Sequence, residues 1–199
     1  LNLAKLFEMQ RQLDEHIDKE HPRQPGEDRL AKKVLALFVE LGELANEHRG
    51  FKYWSNDQEP RIGGECSCDD GYIDVYMGHG VVEQDICPHC EGLGELPNTL
   101  LEEYVDALHF ILSIGLDIAE PDIVNLRDVD GKENIIEQFI EVFDRVRGLY
   151  FFEYDIFEYE SLLAQFIKLG EMLGFSWQEI EEAYLRKNAV NHQRQEMGY

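Results

Sequence analysis

An all-α helical bundle, interrupted once by a small irregular cysteine-rich insertion, is the fold class this chain predicts, and three observations carry it. Apolar residues recur at helical spacing, most regularly at Leu30, Val34, Leu37, Phe38, Leu41 and Leu44. These fall on one side of a helix that advances about 100° per residue. Glu follows a Thr or Ser by three residues at Thr99/Glu102 and Ser176/Glu179, the capping-box spacing that opens a helix. All 4 cysteines lie between about 56 and 98, a stretch rich in Gly, Asp and Glu and short of helical period.

Taken in order, Asn2 to about Glu20 carries an amphipathic stripe of Leu3, Leu6, Phe7, Leu13 and Ile17, stopped by Pro22 and Pro25-Gly26. A second helix is expected from about Glu27 to His48. The Thr99 capping box opens a third, which ends before Pro121 and buries Leu101, Tyr104, Val105, Leu108, Ile111 and Leu112. Past the Asp130-Gly131 turn, helical spacing returns over Asn134 to Arg147 and over Phe152 to Leu173. Ser176 caps a last helix reaching about Ala189. The aromatic run LYFFEYDIFEY, Leu149 to Tyr159, reads as a stripe that packs a core or a subunit face. With 199 residues and 44% hydrophobic content the chain can bury a core of its own, so 1–199 is read as one domain with 56–98 embedded in it.

Two acidic pairs carry the chemistry. Glu40/Glu43 in ELGELANE and Glu103/Asp106 in LLEEYVDALHF each set two carboxylates one helical turn apart, beside the apolar stripe. Glu47 shares the face of the first pair. Helices packed side by side would bring four carboxylates together, and such crowding is relieved by a divalent cation. Hard oxygen ligands suit magnesium or manganese, which keep several waters and combine with substrate phosphates. Acidic residues at helical spacing more often simply face water. Two such pairs on strongly amphipathic helices tilt the reading toward metal.

The formal charge of −23, from 41 acidic and 18 basic residues, argues against a nucleic-acid binder, which needs a basic surface to displace counterions. No Lys or Arg occurs from Ile62 to Leu126; Arg186, Lys187 and Arg194 stand out near the C-terminus. No run of about 18 apolar residues and no signal-peptide core is present, so no membrane partner is expected and a cytoplasmic protein is the default. Numbering from Leu1 suggests that an initiator residue precedes it.

Cys66-Ser-Cys68 and Cys87-Pro-His-Cys90 gather four thiols, a spacing suited to closed tetrahedral zinc. A disulfide framework is the competing reading, disfavoured in a cytoplasmic compartment. The second half, CPHCEGLGE, resembles the C-x-x-C-x-G-x-G knuckle of DnaJ-type zinc domains. The first half, with one intervening residue, departs from it, which leaves His79 or His89 as substitute ligands. A structural zinc that steadies a loop near the active site or a subunit contact is the expectation.

The acidic pairs and the C-terminal string KNAVNHQRQEMGY, Lys187 to Tyr199, together resemble the all-α dimeric dUTPases of the MazG-like pyrophosphohydrolase superfamily. The acidic pattern alone identifies the superfamily; the string, similar to the family's K-N-x-x-N-x-x-R-Q-x-x-G-Y, is more specific. FKYW at Phe51 to Trp54, HFILS at His109 to Ser113 and MQRQLDEHI near the start add support. The gap between the acidic pairs is longer than usual for the family.

The resemblance implies a homodimer that hydrolyses dUTP, and allows dUDP as a second substrate, releasing dUMP and pyrophosphate from dUTP by water attack at the α-phosphorus. Glu40, Glu43, Glu103 and Asp106 would bind magnesium, with Glu40 preferred over Glu43 as the base. Lys187, Arg194 and Tyr199 would contact phosphates and Asn191 the uracil edge. Trp54, His109 and Phe110 would form the base and sugar pocket, completed by Gln10 and Asp14. A MazG-like enzyme for dCTP or a modified nucleotide, and a non-catalytic zinc-stabilised regulatory protein, are the alternatives.

Overall fold

The computed structural model describes residues 3–78, 81–121, 124–126 and 128–198. Among them the helices are α1 (Leu3–Glu20), α2 (Arg29–His48), α3 (Thr99–Ile118), α4 (Ile135–Phe151), α5 (Ile156–Met172) and α6 (Trp177–Glu196). Between α2 and α3 stand four short strands, β1 (Gly64–Glu65), β2 (Tyr72–Gly78), β3 (Val81–Ile86) and β4 (Glu95–Leu96). No helix of the described residues is long and apolar enough to cross a membrane.

The α2 stripe is buried as its period predicts: Val34, Leu37, Leu41 and Leu44 are each at most 3% exposed, and Leu30 and Phe38 pack against them. Each such side chain contributes about 1.5–3 kcal/mol of transfer free energy. The burial directs α2 onto α3, its main partner, and so fixes the faces on which the acidic residues stand. Helix α3 is the axis of the bundle. It touches α1, α2, α5 and α6, and from Tyr104 to Gly115 nearly every residue except Asp106 and Phe110 is buried.

Two glycines allow the closest helix approaches. At Gly115 a Cβ would meet the Tyr159 hydroxyl at 2.2 Å, and at Gly170 the Tyr104 hydroxyl at 2.5 Å. Both tyrosines donate to helical carbonyls, Tyr159 to Ile111 and Tyr104 to Phe166, each at 3.2 Å. Burying these hydroxyls is tolerable because each finds an acceptor.

Several boundaries differ from expectation. Ser176 and Glu179 form the expected capping box, but α6 continues to Glu196, well past Ala189. At α3 the cap is Asn98, whose side chain accepts from Leu101 N, whereas the Thr99 hydroxyl bonds the Glu47 carboxylate. The aromatic run is not one helical stripe: α4 ends at Phe151 and α5 begins at Ile156, and Glu153 and Tyr154 between them adopt φ of 55° and 63°. Leu149 and Tyr159 enter the core, while Tyr150, Phe151, Phe152 and Phe157 are more than half exposed. The insertion is more regular than its composition suggests. Antiparallel β2–β3 pairing runs from Tyr72↔Ile86 to Tyr76↔Val82, and β1 pairs with β4 at its base.

Candidate active site

Packing α2 against α3 brings the two acidic pairs together. Carboxylate oxygens of Glu40, Glu43 and Glu103 lie within 4.8 Å of one another. Burial first, then repulsion from Asp106 and Glu43, raises the Glu40 carboxyl to about 7. Burial and the charges of Asp106, Glu43 and Glu40 raise Glu103 to about 7 as well. Asp106 completes the group through charge rather than contact. Its carboxylate holds the Lys187 ammonium at 2.5 Å, yet burial outweighs that favourable pairing and its pKa is still raised. Oxygen donors this crowded favour either protons or a divalent cation, and their number and hardness fit magnesium or manganese.

Glu47, on the same face of α2, does not join the three converging oxygens; its carboxylate is engaged by Thr99. It links the two helices one turn away from the cluster.

Glu40 and Asp106 also line the end of a cavity of about 810 Å³ bounded by α1, α2, α3 and α6. Its wall includes Gln10, Asp14, His109, Phe110, Lys187, Asn191 and Arg194, residues drawn from opposite ends of the chain. The volume is that of a pocket for a nucleotide-sized ligand. Trp54 is not among the lining residues: it is 66% exposed in the turn after α2 and meets Phe51 and Tyr53 edge-on. Tyr199 lies outside the described residues.

The far wall is a polar network. Gln10 is 2% exposed, and its Nε2 donates to Asp14 Oδ1 at 2.7 Å, which orients the amide. Its Oε1 therefore accepts from the Tyr184 hydroxyl at 2.7 Å and from His109 Nδ1 at 2.8 Å. Because Nδ1 carries the proton, His109 Nε2 is an acceptor, and it is buried without a hydrogen-bond partner among the described residues. Burial, then the charge of Lys187, pushes His109 down to about 3, so the ring is neutral. It stacks on Tyr184 with centroids 4.1 Å apart.

Lys33, Ser113 and Asp117 line the same cavity and were not expected from sequence. Lys33 Nζ contacts Asp117 at 2.6 Å, the Ser113 carbonyl at 3.3 Å and Asp14 at 3.4 Å, while Ser113 Oγ donates to Asp14 at 2.6 Å. Spacing could have found them. Lys33 precedes Glu40 by seven residues and Ser113 follows Asp106 by seven, two turns along the same faces.

The cysteine expectation also has a structural counterpart, since Cys66, Cys68, Cys87 and Cys90 all point at one centre. His89 stands apart from them and is exposed, and His79 lies outside the described residues.

A family model described as dUTPase matches residues 2–75 and 95–199, leaving 76–94 outside the match. No match was found among curated proteins. The match spans both acidic pairs and the whole α6 wall, and the chain belongs to the dUTPase family, the enzymes that act as dUTP diphosphatases.

Proposed function

We propose that the enzyme hydrolyses dUTP to dUMP and pyrophosphate by attack of water on the α-phosphorus, with Glu40, Glu43, Glu103 and Asp106 as ligands of magnesium. The observation that carries this reading is the convergence of the acidic cluster and a nucleotide-sized cavity, with Glu40 belonging to both and Asp106, in the cavity wall, coupled to the cluster through its charge. A divalent ion held there would act as a Lewis acid, lowering the pKa of the attacking water and offsetting charge on the leaving pyrophosphate.

The protein's own groups do the rest. Glu40 is the proton acceptor: of the three converging carboxylates it is the one that lines the cavity. Lys187 releases Asp106 and turns to the triphosphate, exchanging one anion for another at little desolvation cost. Arg194 takes a second phosphate contact, its fork geometry suiting phosphate oxygens. Asn191 offers a donor and an acceptor to the uracil edge. His109 Nε2 accepts from a nucleoside N–H or hydroxyl, which gives that buried nitrogen a partner. Gln10, Asp14 and Phe110 shape the sugar side. We assign Trp54 to the base pocket and Tyr199 to the phosphates on the family resemblance alone.

A homodimer fits the exposed aromatic corner formed by Tyr150, Phe151, Phe152 and Phe157. A panel of nucleoside triphosphates with pyrophosphate release as the readout tests the reaction. Strong preference for dUTP over dCTP, dTTP and UTP is expected. A flat profile would assign the chain to a generic pyrophosphohydrolase, and silence with magnesium would exclude catalysis.

A further inference from the structure

The thiols of Cys66, Cys68, Cys87 and Cys90 have no part in that reaction, yet the chain brings them to a point. Their sulfurs all lie within 4.8 Å of one another, with Cys66–Cys87 at 3.7 Å and Cys68–Cys90 at 3.5 Å. An ion bound tetrahedrally at about 2.3 Å from each of four thiolates sets neighbouring sulfurs about 3.8 Å apart. Disulfides would draw the sulfurs together in twos and give no reason for all four to share a centre.

The backbone is arranged for the same purpose. Backbone N–H groups of Gly92 and Gly94 point at the Cys90 sulfur, and that of Gly71 at the Cys68 sulfur. Cys66 N donates to the Gly94 carbonyl at 2.9 Å and Cys87 N to that of Gly71 at 2.8 Å, so each half is tied to the other. At Gly71 (φ +93°) a Cβ would meet the Gly92 carbonyl oxygen at 2.3 Å, a contact between the two halves that only glycine permits.

No apolar core can do this work instead. Among the described residues from 64 to 96 only Gly71, Cys87 and Cys90 are buried, while Tyr72, Tyr76, Met77, Val82, Ile86 and Leu93 are all exposed. A segment of about 30 residues without a core needs a metal or cross-links to hold its shape.

We propose that Cys66, Cys68, Cys87 and Cys90 bind one zinc ion in a closed four-thiolate site, and that this ion holds residues 64–96 folded as a clamp across the ends of α2 and α3. Beside the module, the chain that leads into and out of it ties the ends of α2 and α3 together. Arg61 N donates to the Glu47 carbonyl and Leu100 N to the Arg61 carbonyl, each at 3.1 Å, and Thr99 bonds the Glu47 side chain. Glu47 and Thr99 stand one helical turn from Glu43 and Glu103 respectively. The zinc assignment is independent of the reaction proposed above; only the effect of the clamp on magnesium rests on that reading.

Protein purified without chelator should contain one zinc per chain by plasma mass spectrometry. Replacement by cobalt should give the intense visible and near-ultraviolet bands of a tetrahedral thiolate site. Cys87→Ser and Cys90→Ser should lose the metal, while His89→Ala keeps it. Removing zinc should abolish amide exchange protection within 64–96 and leave α3 and α5 protected, and several-fold more magnesium should then be needed for half-maximal activity. A reduced protein that carries no zinc and takes up no cobalt would overturn the site, as would a Cys90→Ser variant with full metal content. Unchanged exchange after zinc removal would overturn the folding role, and an unchanged magnesium requirement the clamp.

Discussion

Without divalent metal, the acidic cluster should make the protein less stable as pH rises through neutrality, and neutralising Glu40 should remove part of that loss. In the folded protein the Glu40 carboxyl is raised from 4.5 to about 7. The folded state therefore binds the proton more tightly than the unfolded chain does. Its stabilising contribution is fully present below about 4.5 and is lost as pH climbs through about 7. A shift of that size corresponds to roughly 3 kcal/mol at most, at about 1.36 kcal/mol per pKa unit. Partial solvent exposure reduces this to about 1–2 kcal/mol.

Glu40→Gln keeps the shape and removes the titration. Urea denaturation of both proteins at pH 5, 6, 7 and 8, with zinc retained and magnesium absent, isolates the effect, because the general repulsion of an acidic chain is nearly common to both. The variant should exceed the parent by no more than about 0.5 kcal/mol at pH 5 and by about 1–2 kcal/mol at pH 8. A stability difference that does not change between pH 5 and pH 8 would refute the reasoning. Saturating magnesium should reverse the sign at pH 8, since only the parent retains the full ligand set.

Glu43→Gln and Asp106→Asn should each lower turnover by about 10²-fold or more without unfolding the protein, checked by pyrophosphate release and circular dichroism. Gln10→Leu leaves the Tyr184 hydroxyl and His109 Nδ1–H without their acceptor. At about 1–3 kcal/mol for each buried group, urea denaturation should show a loss of several kcal/mol, and KM should rise with it. Gly115→Ala forces a Cβ to 2.2 Å from the Tyr159 hydroxyl and should cost about 2 kcal/mol or more. Gly42→Ala, with nothing within 4 Å, should be neutral or stabilise by up to about 1 kcal/mol.

Helical period and the placement of the acidic pairs on facing helices were legible in the residues. The α2 stripe from Leu30 to Leu44 and the two acidic pairs are local patterns, and once the stripes pack, the carboxylates have little freedom in where they go. The Ser176 capping box is equally local. At α3, Asn98 and Thr99 are adjacent and both competent to cap, and the outcome depended on Glu47, a residue from another helix that competes for the threonine hydroxyl. The turn at Glu153 and Tyr154 carries no glycine or proline, so the break expected between Arg147 and Phe152 falls a few residues later, between Phe151 and Ile156. Alternation in Tyr72-Ile73-Asp74-Val75-Tyr76 was a strand signal obscured by the composition around it. Lys33 and Ser113 repeat the faces of Glu40 and Asp106 two turns away, a signal left unused, whereas Tyr184 was missed because its partners Gln10 and His109 stand on other helices. Gln10, His109 and Lys187 were found through the family resemblance, since no local pattern joins residues so far apart.

A crystal structure with magnesium and a non-hydrolysable dUTP analogue tests the central claim most directly. Divalent ions should appear about 2.1 Å from oxygens of Glu40, Glu43, Glu103 and Asp106, with the α-phosphate beside them and Lys187 turned from Asp106 to the triphosphate. A nucleotide bound elsewhere, or ions that leave the carboxylates of α2 and α3 uncoordinated, would contradict it.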